Sequence, residues 1–284
     1  MIGRRLLRLV LLVLLLALVV AGYLAYRLEH PAGRESADEV TIVFETGTPT
    51  SHIFRRLEKE GVVEDARLAE IYYRVHRSAT PLQAGEYRLT RPMAIDDIIN
   101  RLGKGDVVKH VVVVPEGLTA EETFELFWKR GIGGPEAFRA AMRSTELLPG
   151  VTAGTSDLEG FLFPETYVVT RSTSASQIVD QMVAQFRKTF SREMQQQAKN
   201  LGLTVRQAVT LASIVEKESA LPQEGRLIAG VYLNRLRRGM RLQADPTVVY
   251  AMKQDGNRRG VLYRSDYGYE SPYNTYLYAG LPPG

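Results

Sequence analysis

The pattern of apolar positions begins with a run that matches the span of a membrane. Residues 9–26 carry no charge and no strong helix breaker. At about 1.5 Å per residue, a helix of this length extends roughly 27 Å, close to the thickness of a bilayer core. We therefore predict a transmembrane helix over 9–26. Residues 1–8 precede it, and a polar linker over 27–39 follows.

The residues at the two ends of this run indicate its orientation. They are Arg4, Arg5 and Arg8 before the run, and Tyr23 and Tyr26 at its far end. Arginines mark the cytoplasmic side, so everything after the helix is expected outside the cytoplasm. A cleaved signal peptide is the alternative, with a weak small-residue site at 19–21. The run exceeds the typical signal core of about 7–15 residues, which favours an uncleaved anchor.

Residues 40–105 alternate between strand-like and helical patterns. Strands are predicted at 40–44 and 85–89, and helices from Ile53 to a stop at Gly61, over 65–77, and from Ile95 to a stop at Gly103. Such short runs with glycine stops are typical of a small α+β unit.

Residues 106–284 follow a mainly helical pattern after a β-branched strand at 107–114. The helices are predicted from a capping box at Thr119 and Glu122, over 177–201 as one long amphipathic segment, from a cap at Thr204, from Pro222 to Gly239, and from a cap at Asp245 to Met252. Residues 261–284 look irregular. The predicted fold class is α+β: a transmembrane helix, a small α+β subdomain and a larger, mainly helical α+β domain.

Composition removes several function classes. The chain is 45% hydrophobic and 24% charged with a net charge of +4, and its basic residues are interleaved with acidic ones, so a nucleic-acid partner is not expected. The lack of cysteine excludes disulfides, thiol catalysis and Cys-ligated zinc. The four histidines are scattered, so neither a histidine metal site nor a Ser-His-Asp triad is expected, and no cofactor is implied.

Two glutamates near the end of an apolar helix are the first candidate for chemistry. At about 100° per residue, Glu216 and Glu218 lie about 160° apart, on the two flanks of the apolar face, and Lys217 points away from it. A carboxylate at the edge of an apolar surface is partly desolvated, which raises its pKa as a general acid requires. Both glutamates could equally be ordinary flank charges, and periodicity does not choose between them.

Three other segments are candidates with structural alternatives. Asp157, Glu159 and Glu165 surround an aromatic turn that either lines a cleft or forms a packed corner. Six tyrosines with Asn274 lie within 263–278 and either bind sugar rings or hold a loop down. Asp245 before a proline is explained as a helix cap, whereas Gln243 has no equally good structural explanation.

Taken together, these segments resemble the YceG-like family of endolytic murein transglycosylases. The matching blocks are 159–164 (EGFLFP), 212–219 (ASIVEKES), 231–236 (VYLNRL), 239–247 (GMRLQADPT), 273–276 (YNTY) and 280–284 (GLPPG). The resemblance implies that 40–105 is a LysM-like subdomain, a fold associated with glycan binding, and that 106–284 is the catalytic domain. Family members continue further, so we expect the C-terminal part of that domain to be missing after Gly284.

The resemblance also implies the chemistry. Glu218, the second glutamate of its block, corresponds to the catalytic acid/base, and Ser219 follows it. The family cleaves the β-1,4 bond between N-acetylmuramic acid and N-acetylglucosamine and closes a 1,6-anhydro ring, which needs no second carboxylate, unlike ordinary glycoside hydrolysis. The candidate substrate-binding residues are Glu159, Glu165, Ser219, Gln243, Asp245, Asn274 and Tyr276.

The implied setting is the cell (inner) membrane, with a cytoplasmic N-terminus and a periplasmic catalytic part. The expected partners are peptidoglycan glycan strands, the membrane and peptidoglycan synthases. The alternative function is a non-catalytic, membrane-anchored protein that binds or scaffolds peptidoglycan.

Overall fold

The protein has a mixed α+β fold that is mostly helical, which confirms the predicted class. The computed structural model describes residues 2–30, 38–149, 151, 156–257 and 259–284. The chain divides into two compact units. Unit 1 comprises 1–110 and 170–172, and unit 2 comprises 111–169 and 173–284.

Helix α1 (Ile2–Glu29) contains the predicted membrane span. An 18-residue window of its stretch Leu9–Glu29 has a mean hydropathy of 2.8 and contains no buried residue, so the helix is long and apolar enough to cross a membrane. Residues 27–29, predicted as linker, form its last turn, and 38–39 already belong to a strand. Residues 31–37 of the predicted linker lie outside the described residues.

Unit 1 is built around a two-stranded antiparallel sheet. Its elements are β1 (Asp38–Phe44), α2 (Thr50–Lys59), α3 (Ala66–Tyr72), β2 (Gly85–Arg91) and α4 (Ile95–Lys104). Ile42 of β1 faces Tyr87 of β2 in the register, and both are buried together with the apolar faces of α2 and α4. Each of these five elements buries one face against the same core, which places apolar residues at regular intervals along it. The pattern of apolar positions therefore predicted them.

Two details of unit 1 differ from expectation. The helix predicted over 65–77 is α-helical only to Tyr72 and continues as a π-helical turn, Tyr73–Arg77. The stop predicted at Gly103 is wrong, because α4 runs to Lys104 and ends at Gly105, which adopts the left-handed conformation at φ 65°. Either glycine suits a helix end, but only Gly105 has the positive φ of a C-terminal cap.

Unit 2 is mainly helical, with one further two-stranded sheet. Its elements are β3 (His110–Val113, which begins at the last residue of unit 1), α5 (Ala120–Trp128), α6 (Pro135–Met142), β4 (Thr166–Val169), α7 (Ala175–Thr189), α8 (Arg192–Asn200), α9 (Val205–Glu218), α10 (Gly225–Arg237) and α11 (Asp245–Gln254). The capping boxes at Thr119 and Thr204 are confirmed. The strand predicted over 107–114 is shorter than expected.

Two helix predictions in unit 2 are wrong. The segment 177–201 is not one helix, since α7 ends at Thr189 and Ser191 caps α8 by accepting from the backbone of Met194. Asp245 is not the cap of α11, because the cap position is Ala244 and Asp245 is the first helical residue. Its carboxylate is therefore available for another contact.

Helix α9 packs against two apolar cores within unit 2. Val205 and Val209 lie against the larger core, whereas Leu211 and Ile214 are buried in a smaller one that includes Tyr232 of α10 and residues just before α11. Ala212, between the two buried residues Leu211 and Ile214, is exposed. This double packing fixes the C-terminal end of α9, where the two candidate glutamates lie.

Candidate functional site

The two glutamates at the end of α9 occupy different environments. Glu216 is exposed, whereas Glu218 is half-buried. The hydroxyl of Tyr232, on α10, donates a hydrogen bond to the Glu218 carboxylate. Tyr232 is only 7% exposed. Burial, together with the nearby charge of Glu218, raises the pKa of Tyr232 far above its usual range, so this phenol stays a neutral donor.

The neighbours of Glu218 on α9 secure the helix end. The ammonium of Lys217 donates to the carbonyl of Gly117 at 3.1 Å, and the hydroxyl of Ser219 donates to the carbonyl of Val215 at 2.8 Å. The predicted outward direction of Lys217 is confirmed by its exposure. The Ser219 hydroxyl therefore donates within its own helix.

A second carboxylate, Asp245, lies in the same neighbourhood. The hydroxyl of Tyr276 donates to Asp245 Oδ1 at 2.5 Å, and the ring centroids of Tyr276 and Tyr267 are 4.5 Å apart. Burial, the hydrogen bond and the charge of Asp245 raise the pKa of Tyr276, and Glu218 adds to this effect. Asp245 likewise contributes to the raised pKa of Tyr232. The two carboxylates therefore face the same pair of tyrosines.

Gln243 has an unusual backbone beside this cluster. Its φ is 53°, and among the residues that the structure describes it is the single non-glycine with positive φ. Its backbone N–H donates to the carbonyl of Thr275 at 3.1 Å, and its side chain is exposed. Such a conformation costs about 1–2 kcal/mol and persists only where the surroundings enforce it, which is common at functional sites.

A buried hydroxyl network enforces this geometry. Thr275 Oγ1 accepts from the backbone of Ala244 at 2.9 Å and lies 2.9 Å from Thr247 Oγ1, which in turn donates to the carbonyl of Ala244 at 2.7 Å. Both threonines are almost fully buried. The network joins the tyrosine-rich C-terminal segment 261–284, called the tail below, to the start of α11, so it holds Tyr276 beside Asp245.

Replacing Thr275 by Val is expected to lower the free energy of unfolding by about 1–2 kcal/mol, because the buried N–H of Ala244 loses its acceptor. The exposed Thr166→Val is the matched control and is expected to change stability by less than about 0.5 kcal/mol. Urea unfolding of both variants tests this. Equal stabilities would show that the network does not hold the tail.

The Asn274 side chain bonds to backbone groups of the tail. It is fully buried. Its amide nitrogen donates to the carbonyls of Tyr267 and Tyr269 at 3.1 and 2.8 Å, and its side-chain oxygen accepts from the backbone of Tyr276 at 2.9 Å. All these bonds lie within the tail. Asn274 therefore shapes the loop that presents the tyrosines.

Glu159 lies at the N-terminus of α5. Its carboxylate accepts from the backbone of Ala120 at 3.0 and 3.2 Å. Burial raises its pKa to about 7, and Asp157 and Glu122 add to this, although the N–H donors of Ala120 and Gly160 oppose it. Burial therefore outweighs the favourable helix terminus.

Two tyrosines lie beside Glu159 and Asp157. Tyr250 of α11 and Tyr273 of the tail meet edge to face, with ring centroids 5.0 Å apart. Burial raises the pKa of each, and the charges of Glu159 and Asp157 raise it further. Helix α11 and the tail therefore contribute to two clusters of side chains. Asp245 and Tyr276 belong to the cluster around Glu218, and Tyr250 and Tyr273 belong to the cluster around Glu159.

The described contacts of Glu165 do not connect it to the cluster around Glu218. It is exposed just before β4, and its Oε1 accepts from the backbone of Thr166 at 2.9 Å. These contacts connect it to Tyr167, whose pKa its charge raises, and not to Glu218. Its predicted substrate role stays a prediction.

Sequence reasoning missed Tyr232 and Tyr250. Both lie in helical segments where an aromatic residue looks like ordinary core. The available signal was the position of Tyr232 inside the 231–236 block. Within the described ranges, no group of three or more His, Asp or Glu side chains is arranged to hold a metal ion.

Comparison with known proteins places this geometry in context. The model of the YceG-like family matches residues 42–284. The endolytic murein transglycosylase of Streptococcus pneumoniae serotype 2 (strain D39) is 32% identical in an alignment that covers 96% of this chain and 55% of that protein. The endolytic murein transglycosylase of Bacillus subtilis (strain 168) is 33% identical in an alignment that covers 94% of this chain and 78% of that protein.

Among solved structures, a yceG-like protein from Listeria monocytogenes is 30% identical, with a TM-score of 0.49, over 87% of this chain and 85% of that one. The chain spans about half the length of the pneumococcal relative that it matches.

Proposed function

Because the chain belongs to the YceG-like family, we propose that it is an endolytic peptidoglycan transglycosylase with Glu218 as its acid/base. The observation that carries this proposal is the half-buried Glu218 carboxylate, which is held by the neutral Tyr232 hydroxyl and faces Tyr276. Glu216, two residues earlier, is exposed and has no comparable setting.

The proposed reaction needs one carboxyl group in two protonation states. Protonated Glu218 gives its proton to the glycosidic oxygen as the bond from C1 of N-acetylmuramic acid to that oxygen breaks. Ionised Glu218 then takes the proton of the C6 hydroxyl, whose oxygen forms the new bond to C1. The products are a 1,6-anhydro end and a free hydroxyl on the N-acetylglucosamine, and Glu218 is protonated again.

Tyr232 supports the second half of this cycle. A phenol that donates to a carboxylate stabilises its ionised form and fixes its orientation. Because burial keeps Tyr232 neutral, its proton does not compete with the transfer at Glu218. One carboxylate oxygen is thus engaged, and we propose that the other faces the substrate.

The remaining candidate residues divide into those proposed to contact the glycan and those proposed to hold other residues of the site in place. We propose that Gln243 and Tyr276 contact the glycan, since one has an exposed, strained position and the other presents a ring beside Asp245. Asp245 orients Tyr276. Ser219 and Asn274 act through the backbone geometry described above. Glu159 supports the wall formed by Tyr250 and Tyr273.

We propose that α1 anchors the chain in the cell membrane, with a cytoplasmic N-terminus and the site outside. The antiparallel pair β1–β2 with α2 and α3 between its strands supports a LysM-like subdomain over 40–105 that binds glycan. The domain boundary at 105/106 stays a prediction. Nascent strands are the proposed substrate, which makes peptidoglycan synthases the proposed partners.

Digestion of peptidoglycan by the full chain in detergent, followed by mass spectrometry, is expected to yield glycans that end in 1,6-anhydro-N-acetylmuramic acid. These ends are one water lighter than reducing ends, because an internal hydroxyl replaces water as the nucleophile. Products with ordinary reducing ends would contradict the proposal and indicate a hydrolase. In that case Asp245→Asn should abolish activity, because hydrolysis needs a second carboxylate.

A further inference from the structure

The last turn of α1 is docked onto the folded part of unit 1. Leu28 is buried in the core of that unit. The hydroxyl of Tyr72 donates to Glu29 Oε1 at 2.7 Å, and Arg27 forms an ion pair with Glu64. Packing, a hydrogen bond and a charge pair therefore fix the end of this helix.

The contacts of α1 identify which part of unit 1 lies next to it. Leu24 and Leu28 border a small cavity of about 140 Å³ together with Val63, Leu68 and Ile95. These residues belong to the α2–α3 connection, to α3 and to the start of α4. When α1 spans a bilayer, these elements lie at its surface.

Unit 1 exposes very few apolar side chains outside α1. Among its described residues, Ile71 and Val75 are the large apolar side chains that are exposed, at 59% and 69%. Ile71 lies on α3, and Val75 follows one turn later in the π-helical turn. The two lie close to one face, since residues about four apart share a side of a helix. The exposed apolar pair is thus on the element that packs against the membrane helix.

Cationic side chains flank this pair. Arg67 lies four residues before Ile71 and Arg74 three after it, and both are exposed. Arg74 is paired with Glu70 of α3 at 2.6 Å, whereas Arg77 is paired with Asp96 at the start of α4 at 2.7 Å. An apolar strip bordered by arginines is typical of helices that lie in a membrane interface.

We propose that α3 and the turn Tyr73–Arg77 form a membrane-contact surface, in which Ile71 and Val75 enter the boundary between lipid headgroups and acyl chains of the bilayer that holds α1. This inference rests on the proposed membrane insertion of α1. Its consequence is that unit 1 is held against the bilayer, through α1 and α3 together, instead of moving freely on a tether.

Because the chain has no cysteine, single-cysteine probes test this surface cleanly. Val75→Cys is labelled with an environment-sensitive fluorophore in the full chain, reconstituted into lipid vesicles. Leu16→Cys, in the middle of α1, reports insertion of the anchor. Lys104→Cys is the control, since it is exposed at the opposite end of α4 from Ile95, roughly 14 Å away along the helix.

The probe at Val75 is expected to shift to shorter wavelength, and lipids with shallow nitroxides are expected to quench it at least about threefold more than the probe at Lys104. A strong shift to shorter wavelength at Leu16 with a fully aqueous signal at Val75 would overturn the contact surface and leave the anchor intact. An aqueous signal at Leu16 would overturn both. Shielding of Val75 from water without nitroxide quenching would indicate a protein partner and also overturn the proposal.

Discussion

Replacing Glu218 by Gln is expected to slow glycan cleavage by about 10²–10⁴-fold, the range typical of a lost general acid/base. Glutamine keeps the size of the side chain and an oxygen that accepts from Tyr232, but it neither gives nor takes a proton at neutral pH. The structure offers a close control in Glu216→Gln, which makes the same change two residues earlier on the same helix. Because Glu216 is exposed, its variant should retain activity within about twofold.

The measurement is the initial rate at which 1,6-anhydro ends appear, with unfolding curves for both variants to show that they are folded. Equal rates for the two variants would exclude Glu218 as the acid/base. A wild-type chain that binds glycan strands without producing new ends, in the same way as Glu218→Gln, would favour the non-catalytic scaffold instead.

The choice between the two glutamates shows where sequence reasoning ends. Helical periodicity places Glu216 and Glu218 symmetrically on the flanks of α9, so it contains no information that separates them. The difference comes from Tyr232, which reaches Glu218 from the next helix. A contact between side chains of two helices depends on their packing angle, and no local pattern encodes it. The family resemblance selected Glu218 for a different reason, and its role stays a proposal.

Local signals predicted local structure well. The capping boxes at Thr119 and Thr204 were predictable because cap and partner are three residues apart. The break before α8 was missed because Ser191 has Met194 at the partner position, which gives no capping box, while the amphipathic pattern continues across it. Helix periodicity alone cannot detect a break that keeps the same face buried.

The helix cap predicted at Asp245 was wrong because a contact with a distant part of the chain uses its carboxylate. Asp245 before a proline suggested a helix cap, but its carboxylate accepts from Tyr276, which lies thirty-one residues further along the chain. The positive φ of Gln243 has the same origin, because the tail residue Thr275 holds the backbone on both sides of it. The candidate site is therefore assembled by the tail, whose irregular sequence predicted no structure.

The stability of unit 2 is expected to fall by roughly 2–3 kcal/mol as the pH rises from about 4.5 to about 7, because of Glu159. Its pKa is about 7 in the folded protein, against an ordinary value of 4.5. Between these values the folded protein holds a proton that the unfolded chain has released, so each rise in pH favours unfolding. Below this window both states are protonated, and above it the full cost of the buried charge remains.

Glu159→Gln should remove this dependence. The amide is neutral at every pH, and its oxygen still accepts from the N–H of Ala120. The variant should therefore be more stable than wild type at pH 8, by up to about 3 kcal/mol, and nearly equal to it at pH 4.5. Glu165→Gln is the control, since Glu165 is exposed and its variant should keep the wild-type slope.

Urea unfolding followed by the fluorescence of Trp128 reports on unit 2, because this single tryptophan ends α5 and packs against the larger core. Parallel pH profiles for wild type and Glu159→Gln would show that the Glu159 carboxyl is hydrated in the folded protein. A flat profile for the variant alone would show that the charge at the N-terminus of α5 is buried beside Tyr250 and Tyr273. The wall that these two tyrosines form next to α11 would then depend on the protonation of a group outside the proposed proton transfer, so its geometry would vary with pH independently of Glu218.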